Sequence, residues 1–400
     1  MFLFFSHIFF TALFAYLAII SFYFLLVAIA GRLKKGNVYK SFIDRKKIAV
    51  FIPSYKEDNI IVDTAAKAKQ QDYPEKSFDV FVIADKLQKD TIEKMRVLPV
   101  NVVEVQFEVS MKAKSIHEAV SQAAGKGYDI AMVLDADNVM SKDCLEKVNH
   151  AFNKGYKAVQ CHRVAKNRNN AVAVLDVISE EINNNLFRRG QRALGFSSSL
   201  IGSGMAFEFE TFRNIFNLPE ILDNPGEDRE IDLQLMKEDI VVEFIDDAYV
   251  YDEKVSSTVV FEKQRLRWLE AQLNNFKRFF DKDIRVFSNK KAYWYKLFQT
   301  LLLPRSLYLL LFCFIFFLFS IQYFFDYKFL FPSFFAWTVI LCCYLLALII
   351  SIPAKLYNAD MFKAILRLPL LMISMAKIIL RMKSNRKEFL HTPKVHTSDP

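Results

Sequence analysis

The sequence predicts an α/β domain with an open, mostly parallel sheet, joined to about three transmembrane helices. Apolar strands alternate with helical patterns between residues 46 and 138, as in parallel sheets with crossover helices. One long uncharged apolar segment lies around residue 20, and two more lie between residues 306 and 352. About 260 mostly polar residues separate the first from the others, which is enough for one sizeable domain.

The composition favours a membrane protein over a soluble one. Of 400 residues, 53% are hydrophobic and 40 are Phe, while the net charge is +9. A basic balance suits either nucleic-acid binding or cytoplasmic segments rich in Lys and Arg. Because the basic residues are dispersed and flank apolar segments, we expect no nucleic-acid partner. The five cysteines form no CxxC pair, which predicts neither a disulfide framework nor a zinc site and suits a reducing compartment.

The first apolar segment, Ile8 to Ala30, is about as long as the 20 residues that span a bilayer. A cleaved signal peptide is the alternative, since Ala28 to Ala30 resembles a cleavage site, but the run is too long and no basic residue precedes it. Basic side chains follow at once, at Arg32, Lys34, Lys35 and Lys40. Positive charge beside a span predicts that residue 31 onward is cytoplasmic, below an inner (plasma) membrane of bacterial type.

Ser306 to Phe325 and Ser333 to Ile352 are two further apolar spans, and the short linker between them predicts a transmembrane hairpin. Met361 to Leu380 is also apolar but carries charged residues. Since charges are costly in hydrocarbon, we expect a helix in the interface there; a fourth span is the alternative and would put the tail outside. The expected organisation is an anchor at 1–31, a cytoplasmic domain at 32–295, a transmembrane hairpin at 296–355, and an interfacial helix with a cytoplasmic tail at 356–400.

Four strands are expected, at Ile48 to Ile52, Asp79 to Asp85, 101–109 and 129–138. Pro53 stops the first strand, Asp85 ends the second, and Asp135 and Asp137 follow the fourth. Ligands of open α/β sheets bind beyond the carboxyl ends of the strands. We therefore expect these four side chains to meet at one edge of the sheet.

Asp135 and Asp137 are the strongest local clue to chemistry. Two carboxylates just past a buried strand can hold a hard divalent cation with help from substrate phosphates; the alternative is a plain loop with Asp at a helix cap. Lys112 and Lys114 either approach such phosphates or solvate the start of a helix. Asp85 either accepts a hydrogen bond from a base or a sugar hydroxyl, or is a simple loop residue.

Two later motifs carry further candidates. Gly202 and Gly204 bracket Ser203 and permit a close approach of the backbone to a ligand. Glu227 and Asp228 follow a Pro-Gly turn at the start of an amphipathic helix. They either complement the dipole of that helix or supply a general base.

Residues 264–268, QRLRW, are expected in a helix, where Gln264, Arg267 and Trp268 share one face. An amide, a cation and a flat ring suit a hydroxyl, a phosphate and the apolar face of an acceptor sugar, and Arg265 adds a second cation for phosphate. The alternative is a basic helix face on acidic lipid with Trp as an interfacial anchor.

In their order along the chain, these motifs resemble those of the membrane-bound family 2 glycosyltransferases, the group of cellulose, chitin and hyaluronan synthases. The matching stretches are IPSYKED (52–58), IAD (83–85), DAD (135–137), GSGMAF (202–207), GED (226–228) and QRLRW (264–268), and FLHTPK (389–394) looks like the tail of this family. The ordered set is specific, although each piece is not. The resemblance implies a GT-A (Rossmann-like) fold, a UDP-sugar donor, Mg²⁺ or Mn²⁺ as cofactor, and inversion at the anomeric carbon.

The same resemblance implies that Asp85 holds the uridine, that Asp135 and Asp137 handle the diphosphate and the metal, and that Asp228 is the general base. The implied catalytic set is Asp228, Glu227, Gln264, Arg265, Arg267 and Trp268. The implied substrate-binding set is Pro53, Tyr55, Glu57, Asp85, Lys114, Asp135, Gly202, Ser203 and Gly204. The chain departs from the family at Gly226, where Thr is usual, and at His117, where Asn is common.

The expected activity is transfer of a sugar from a UDP-sugar to a hydroxyl of a growing polysaccharide or a lipid-linked glycan. Synthases that thread a polymer through their own channel commonly have more than three spans. We therefore expect membrane lipid and an export partner or a homo-oligomer as partners, or else a short acceptor. A membrane-anchored, catalytically inactive sugar-nucleotide-binding scaffold protein is the alternative. Processive and single addition, and the identity of the sugar, stay open.

Overall fold

The computed structural model describes residues 2–36, 42–254, 258–326 and 328–381. Lys40 and the FLHTPK stretch therefore lie outside the described residues. The strands are β1 Ile48–Tyr55, β2 Phe78–Asp85, β3 Asn101–Val105, β4 Ile130–Val133, β5 Val139–Met140, β6 Ala158–Ala165, β7 Met205–Glu208 and β8 Val242–Asp252. They form one sheet in the order β3-β2-β1-β4-β7-β6-β8-β5.

The sheet is mixed but mostly parallel, which confirms the predicted fold class. β3, β2, β1 and β4 run parallel to one another. β7 lies antiparallel between β4 and β6, β8 pairs in parallel with β6, and β5 is antiparallel to β8 at the edge.

Helices cover both faces of this sheet and form the membrane-facing part. They are α1 Phe2–Leu33, α2 Asp58–Ala68, α3 Lys89–Arg96, α4 Lys112–Ala123, α5 Cys144–Asn153, α6 Ala171–Asn184, α7 Gly190–Ala193, α8 Phe209–Phe216, α9 Pro219–Leu222, α10 Glu227–Lys237, α11 Thr258–Arg278, α12 Lys282–Arg285, α13 Lys291–Thr300, α14 Arg305–Phe325, α15 Phe334–Ser351, α16 Ala359–Ile365 and α17 Leu368–Leu380. A π-helical turn, Asn185–Arg189, joins α6 to α7.

β1 shows how the sequence produces two cores. Successive side chains of a strand point to opposite faces, so Ile48, Val50 and Ile52 pack with α2, α3 and α5, while Ala49 and Phe51 pack with α4, α8 and α10. All five are fully buried. A continuous apolar run is therefore required at this central strand, because both of its faces are covered.

β1 does not stop at Pro53, contrary to the sequence prediction, but continues to Tyr55 alongside β2. The reason lies in the lengths of its two neighbours. β4 pairs with β1 only as far as Phe51, opposite Val133. Beyond that point β1 has β2 on one side alone, so a residue without an N–H is tolerated there.

Three of the described helices, α1, α14 and α15, are long and apolar enough to cross a membrane. They agree with the three predicted spans. α1 has 32 residues, about 48 Å, whereas the hydrocarbon core is about 30 Å thick. The C-terminal part of α1 packs on the α/β domain, since Phe24, Val27 and Ala28 share a core with Ile182 and Leu186.

The stretch from Met361 to Leu380 is not one helix but two, α16 and α17, which are separated near Arg367. α17 has 13 residues, about 20 Å, which is too short to cross the hydrocarbon core. Its apolar side packs on α11: Leu371 and Met375 share a small core with Phe261 and Leu269. The interfacial placement of this stretch stays a prediction.

Candidate active site

The carboxyl ends of β1, β2 and β4 bring the first candidates to one edge of the sheet. Tyr55 and Asp85 are paired residues at the ends of β1 and β2. Asp135 and Asp137 follow β4 on the other side of β1. Pro53 and Glu57 flank this point, on β1 and at the start of α2. The predicted cluster at this edge is therefore present.

Asp85 is unusual among these residues because it is only 1% exposed. Among the described residues neither carboxylate oxygen has a hydrogen bond of good geometry, and the nearby Ser110 hydroxyl acts to lower the pKa of this carboxyl. Burial raises the pKa of this carboxyl above its usual value. An unpaired buried acceptor costs free energy, so Asp85 is suited to accept a hydrogen bond from a ligand.

Lys112, at the start of α4, connects three parts of the candidate site. Its Nζ donates to Asp135 Oδ1 at 2.7 Å and to the carbonyl oxygen of Gly202 at 2.5 Å, and lies 3.6 Å from Glu227 Oε1. Burial alone would lower the pKa of Lys112, but Asp135 and Glu227 raise it above its usual value. Lys112 is therefore a cation held between two carboxylates.

Glu227 and Asp228 occupy the first turn of α10, beside this cation. Glu227 is 8% exposed, and burial raises the pKa of its carboxyl although Lys112 acts in the opposite direction. Gly202 adopts a φ of +74°, and a Cβ added to it would lie 3.7 Å from Lys112 Nζ and 3.9 Å from Asp228 Oδ2. The backbone at Gly202 thus passes directly beside the predicted general base.

Hydrogen bonds within the chain hold the loop from Gly202 to Gly204. The hydroxyl of Ser203 accepts a hydrogen bond from the Asp135 backbone at 2.9 Å and donates one to Asn138. Gln160 Nε2 donates to the carbonyl oxygen of Ser203 at 2.9 Å. Ser203 is fully buried, so its position makes it a support for Asp135 rather than a group facing a ligand.

Two predicted residues stand apart from the cluster. Lys114 pairs with Asp223 at 2.6 Å, and Lys112 occupies the place expected for it, since residues two positions apart on a helix point to different sides. Arg265 Nη2 lies 2.6 Å from Asp176 Oδ1 on α6. This arginine therefore joins α11 to α6 instead of facing open space.

Gln264 and Trp268, on the same helix as Arg265, have different surroundings. Trp268 is 37% exposed, and the guanidinium of Arg265 lies 4.3 Å from its ring centre. Gln264 Oε1 is buried, and nothing in the described part of the chain donates to it. Gln264 and Trp268 thus supply a polar acceptor and an aromatic face close to the membrane-facing helices.

Gly226, one of the two departures from the family, brings α11 against the start of α10. A Cβ on Gly226 would lie 3.1 Å from Cβ of Ala271. A larger residue would separate α11 from Glu227 and Asp228. At the second departure, His117 Nδ1 lies 3.0 Å from the carbonyl oxygen of Phe216 and links α4 to α8.

A small polar cavity of about 20 Å³ adjoins Asp228, which is room for about one water molecule. Asp232, one helical turn after Asp228, lines it together with Lys296 and Gln299 of α13. Asp232 and Lys296 form an ion pair of 2.5 Å. No sequence motif indicates this pair, because the two residues lie far apart in the chain.

The residues present fit a divalent cation that is shared with a substrate. Asp135 and Asp137 offer two carboxylates, and no group of three or more His, Cys, Asp or Glu side chains suited to a metal occurs in the described ranges. A hard cation held by one or two carboxylates completes its shell with phosphate oxygens and water. The chain therefore suits a metal that arrives with a phosphate-bearing ligand.

The family model described as glycosyltransferase like family 2 matches residues 45–271. This range is more than half of the chain and reaches from β1 to the QRLRW helix. The chain belongs to this family. Residues 45–271 are thus a family 2 glycosyltransferase domain, and the three long apolar helices around it indicate a membrane protein.

Three solved structures are similar to this chain to different degrees. The mannosyltransferase PcManGT from Pyrobaculum calidifontis, in complex with GDP-Man and Mn²⁺, is 16% identical with a TM-score of 0.52, over 94% of this chain and 98% of that one. Glucosyl-3-phosphoglycerate synthase from Mycobacterium tuberculosis, with Mn²⁺, UDP and phosphoglyceric acid, is 14% identical with a TM-score of 0.41, over 57% and 78%. S. aureus TarS 1-349 is 15% identical with a TM-score of 0.41, over 83% of this chain and 88% of that one. The likeness to the first shows the GT-A fold alone, and curated protein sequences gave no match.

Proposed function

We propose that the chain is an inverting, membrane-bound glycosyltransferase that moves a sugar from a UDP-sugar to a hydroxyl of a growing polysaccharide or a lipid-linked glycan. One observation carries the proposal. Lys112 gathers Asp135, Glu227 and the Gly202 carbonyl within 3.6 Å, directly beside Asp228. A cation for a diphosphate and a carboxylate for a proton are thus adjacent, as direct displacement requires.

Asp228 is the proposed general base. Its carboxylate takes the proton of the acceptor hydroxyl while that oxygen attacks the anomeric carbon, and the bond from this carbon to the diphosphate breaks. The attack comes from the face opposite the leaving group, so the configuration inverts. Lys112 stabilises the charge that develops on the departing diphosphate.

Asp135 and Asp137 are the proposed ligands of Mg²⁺ or Mn²⁺. When bound, the ion would act as a Lewis acid toward the departing UDP. The bond between Lys112 and Asp135 Oδ1 orients one carboxylate. The hydrogen bond of 3.0 Å from Asn138 Nδ2 to Asp137 Oδ1 orients the other, as expected for side chains that support metal ligands.

The acceptor is proposed to lie along α11. Trp268 offers an aromatic face for a sugar ring, Gln264 accepts from a hydroxyl, and Arg267 contributes charge. The QRLRW motif favours a synthase of the cellulose, chitin or hyaluronan type. Three candidate spans in the described residues argue against a built-in channel, which favours an export partner, a homo-oligomer or a lipid-linked acceptor.

The proposed location is the inner membrane, with the transferase domain in the cytoplasm. Arg32, Lys34 and Lys35 lie at the end of α1 that meets this domain, and Lys34 pairs with Glu243 at 3.3 Å. Positive residues next to a span favour the cytoplasmic side. The division into an anchor at 1–31, a transferase domain at 32–295, a hairpin at 296–355 and a tail at 356–400 is proposed on the same ground.

The test is UDP release by the full chain in nanodiscs, with UDP-glucose, UDP-galactose, UDP-N-acetylglucosamine and UDP-glucuronate. We expect release with one donor, loss of release in EDTA, and a fall of at least about 100-fold in Asp228→Asn. Asp90→Asn, at an exposed position of α3, is the matched control and keeps the wild-type rate. Wild-type turnover in Asp228→Asn would show that Asp228 is not the base. Donor binding without turnover, with acceptor supplied, would support the scaffold alternative.

A further inference from the structure

The polar cavity beside Asp228 lies between three helices, α10, α11 and α13. Lys112 and Gly202 approach Asp228 from other elements, namely α4 and the loop before β7. Helix α13 lies outside residues 45–271. A segment that the family model does not match therefore builds this part of the candidate site, next to the proposed general base.

Asp232, which lines this cavity, has one satisfied and one unsatisfied carboxylate oxygen. Oδ2 accepts a hydrogen bond of 2.5 Å from Lys296 Nζ, whereas Oδ1 is buried and receives no hydrogen bond from the described residues. A buried acceptor without a partner costs free energy. Because the cavity has room for about one water molecule, a water that donates to Oδ1 removes this cost.

The charged groups around the cavity complete the surroundings of such a water. Asp228 and Asp232 are four residues apart on α10, so their side chains are neighbours on one face of the helix. Lys296 uses one of its three N–H groups for Asp232. A buried water makes about three hydrogen bonds. It can donate one to each carboxylate and accept one from the ammonium.

The ion pair between Asp232 and Lys296 is not explained by stability alone. The two side chains are 16% and 6% exposed, and the cost of taking such charges out of water offsets most of their attraction. An ion pair that only joins α10 to α13 is the alternative to a role in the reaction. Asp232 is the more exposed partner, so it is the one that can exchange a proton with solvent.

We propose that Asp232 and Lys296 hold a water molecule against Asp228, and that this water carries the proton of the acceptor hydroxyl from Asp228 to Asp232. The inference rests on the proposed function and makes Asp232 and Lys296 positioning residues that act through Asp228. After each sugar transfer, Asp228 is a neutral carboxylic acid. Its proton moves to the water, and another proton of this water moves to Asp232 Oδ1. Asp228 is then ionised again, the water is unchanged, and Asp232 releases the proton to solvent.

Such a route is needed because substrates cover the other side of Asp228. The proposed mechanism places the acceptor hydroxyl and the departing diphosphate where Lys112 and Gly202 approach this residue. A base that keeps its proton cannot take the next one. Loss of the route therefore lowers kcat and leaves the binding of the donor unchanged.

The test is steady-state UDP release by the full chain in nanodiscs, with the four UDP-sugars named above, without and with added sodium formate. Asp232→Asn keeps the shape of the side chain but removes the proton acceptor. We expect kcat to fall about tenfold while the KM for the donor stays within about twofold. Added formate raises the kcat of this variant at least about threefold, because a small carboxylate replaces the missing acceptor. The wild-type rate does not respond to formate.

Two further variants separate the relay from folding. Asp232→Asn leaves Lys296 as an unpaired buried charge, whereas the double variant with Lys296→Gln carries neither charge and shows the same loss and the same response to formate. Asp239→Asn is the matched control. Asp239 follows α10 and pairs at 2.7 Å with Lys290, directly before α13, and Asn tolerates its φ of 56°. This control keeps the wild-type rate with and without formate.

The outcomes distinguish the relay from the proposed function. A wild-type rate in Asp232→Asn would overturn the relay and leave the transferase. A loss of rate that formate does not restore, or a raised KM for the donor, would also overturn it, since an ion pair that only joins two helices gives these results. No UDP release by the wild type with any donor would overturn the proposed function, and the relay with it.

Discussion

The positions of single residues at the site were predictable where these residues follow the carboxyl end of a strand. Asp85 and Asp135 follow continuous apolar runs, and the edge where such strands end binds ligands. The choice between Lys112 and Lys114 was not predictable. Both lie in the first turn of α4, and only the packing of that helix decides that Lys112 meets Asp135 while Lys114 meets Asp223.

Supporting residues were beyond sequence reasoning because their partners are remote. Gln160 holds the carbonyl of Ser203, and Lys296 pairs with Asp232. Neither residue belongs to a motif with a mechanism of its own. Such contacts depend on how β6 and α13 are placed, which local periodicity does not encode.

Gly202→Ala tests the closeness of the backbone to Asp228. Gly202 has a φ of +74°, which an alanine adopts with strain, so we expect a loss of about 1 kcal/mol in stability. The added methyl would also contact Lys112 and Asp228, so we expect a fall of about tenfold in turnover. Gly125→Ala is the control, since its φ is +76° and an added Cβ meets nothing within 4 Å. It should lose stability alone. Equal turnover in both variants would mean that this backbone position does not affect the reaction. Thermal unfolding and UDP release are the measurements.

Among the elements, β1 to β4 were predicted and β5 to β8 were not. β1, β2 and β4 are continuous apolar runs, the pattern of strands covered on both faces. β8 is interrupted by Asp246 and Asp247, and its pairing with β6 shifts register between Cys161 and His162. The backbone carbonyl oxygen of Asp246 lies 2.7 Å from His162 Nδ1, and its carboxylate pairs with Arg189. The partners of these polar residues lie far away in the chain. The sequence pattern alone therefore does not identify β8 as a strand.

Variants at the contact between α6 and α11 distinguish two roles of Arg265, an ion pair with Asp176 and a contact with phosphate. Its side chain and that of Asp176 are 14% and 11% exposed, and removing one partner leaves a largely buried charge. We expect Arg265→Ala and Asp176→Ala each to destabilise the protein, by about 3 kcal/mol before allowance for residual solvation, and the double variant to cost less than the sum.

The kinetic readout decides between this structural role and the phosphate contact expected from the sequence. A structural role lowers turnover similarly in both single variants. If Arg265→Ala alone raises the KM for the donor and Asp176→Ala leaves it unchanged, Arg265 contacts phosphate. UDP-release kinetics and thermal unfolding of the three variants supply the comparison.

In the whole molecule, the membrane helices and the transferase domain meet through small residues. A Cβ added to Gly190 would lie 2.3 Å from the Val27 carbonyl oxygen, and one added to Gly31 would lie 2.4 Å from Asn185 Oδ1. Asn185 also donates to the Ala28 carbonyl at 3.2 Å and to the Ser351 hydroxyl at 3.0 Å. Local composition predicted the spans, whereas this junction depends on side chains from four segments.

Gly190→Ala is expected to disrupt the junction. The added methyl clashes with backbone rather than with a flexible side chain, so we expect a loss of about 2–3 kcal/mol, seen as a lower unfolding temperature in nanodiscs. Gly195→Ala is the comparison, because its φ of +84° adds strain but nothing lies within 4 Å of the new Cβ. An equal loss in both variants would mean that the packing of α1 on α7 contributes nothing beyond backbone strain.

The length of α1 has a consequence for the substrates that this enzyme can use. About 20 of its 32 residues suffice to cross hydrocarbon, and the remaining 12 or so extend about 18 Å into the transferase domain. With α1 placed in the membrane as proposed, the part that packs on the transferase domain would set the height of the reacting carbon above the lipid. An acceptor whose reactive end is tethered to the bilayer needs a tether that matches this height. Shortening or lengthening α1 by one turn would then change which acceptors are elongated.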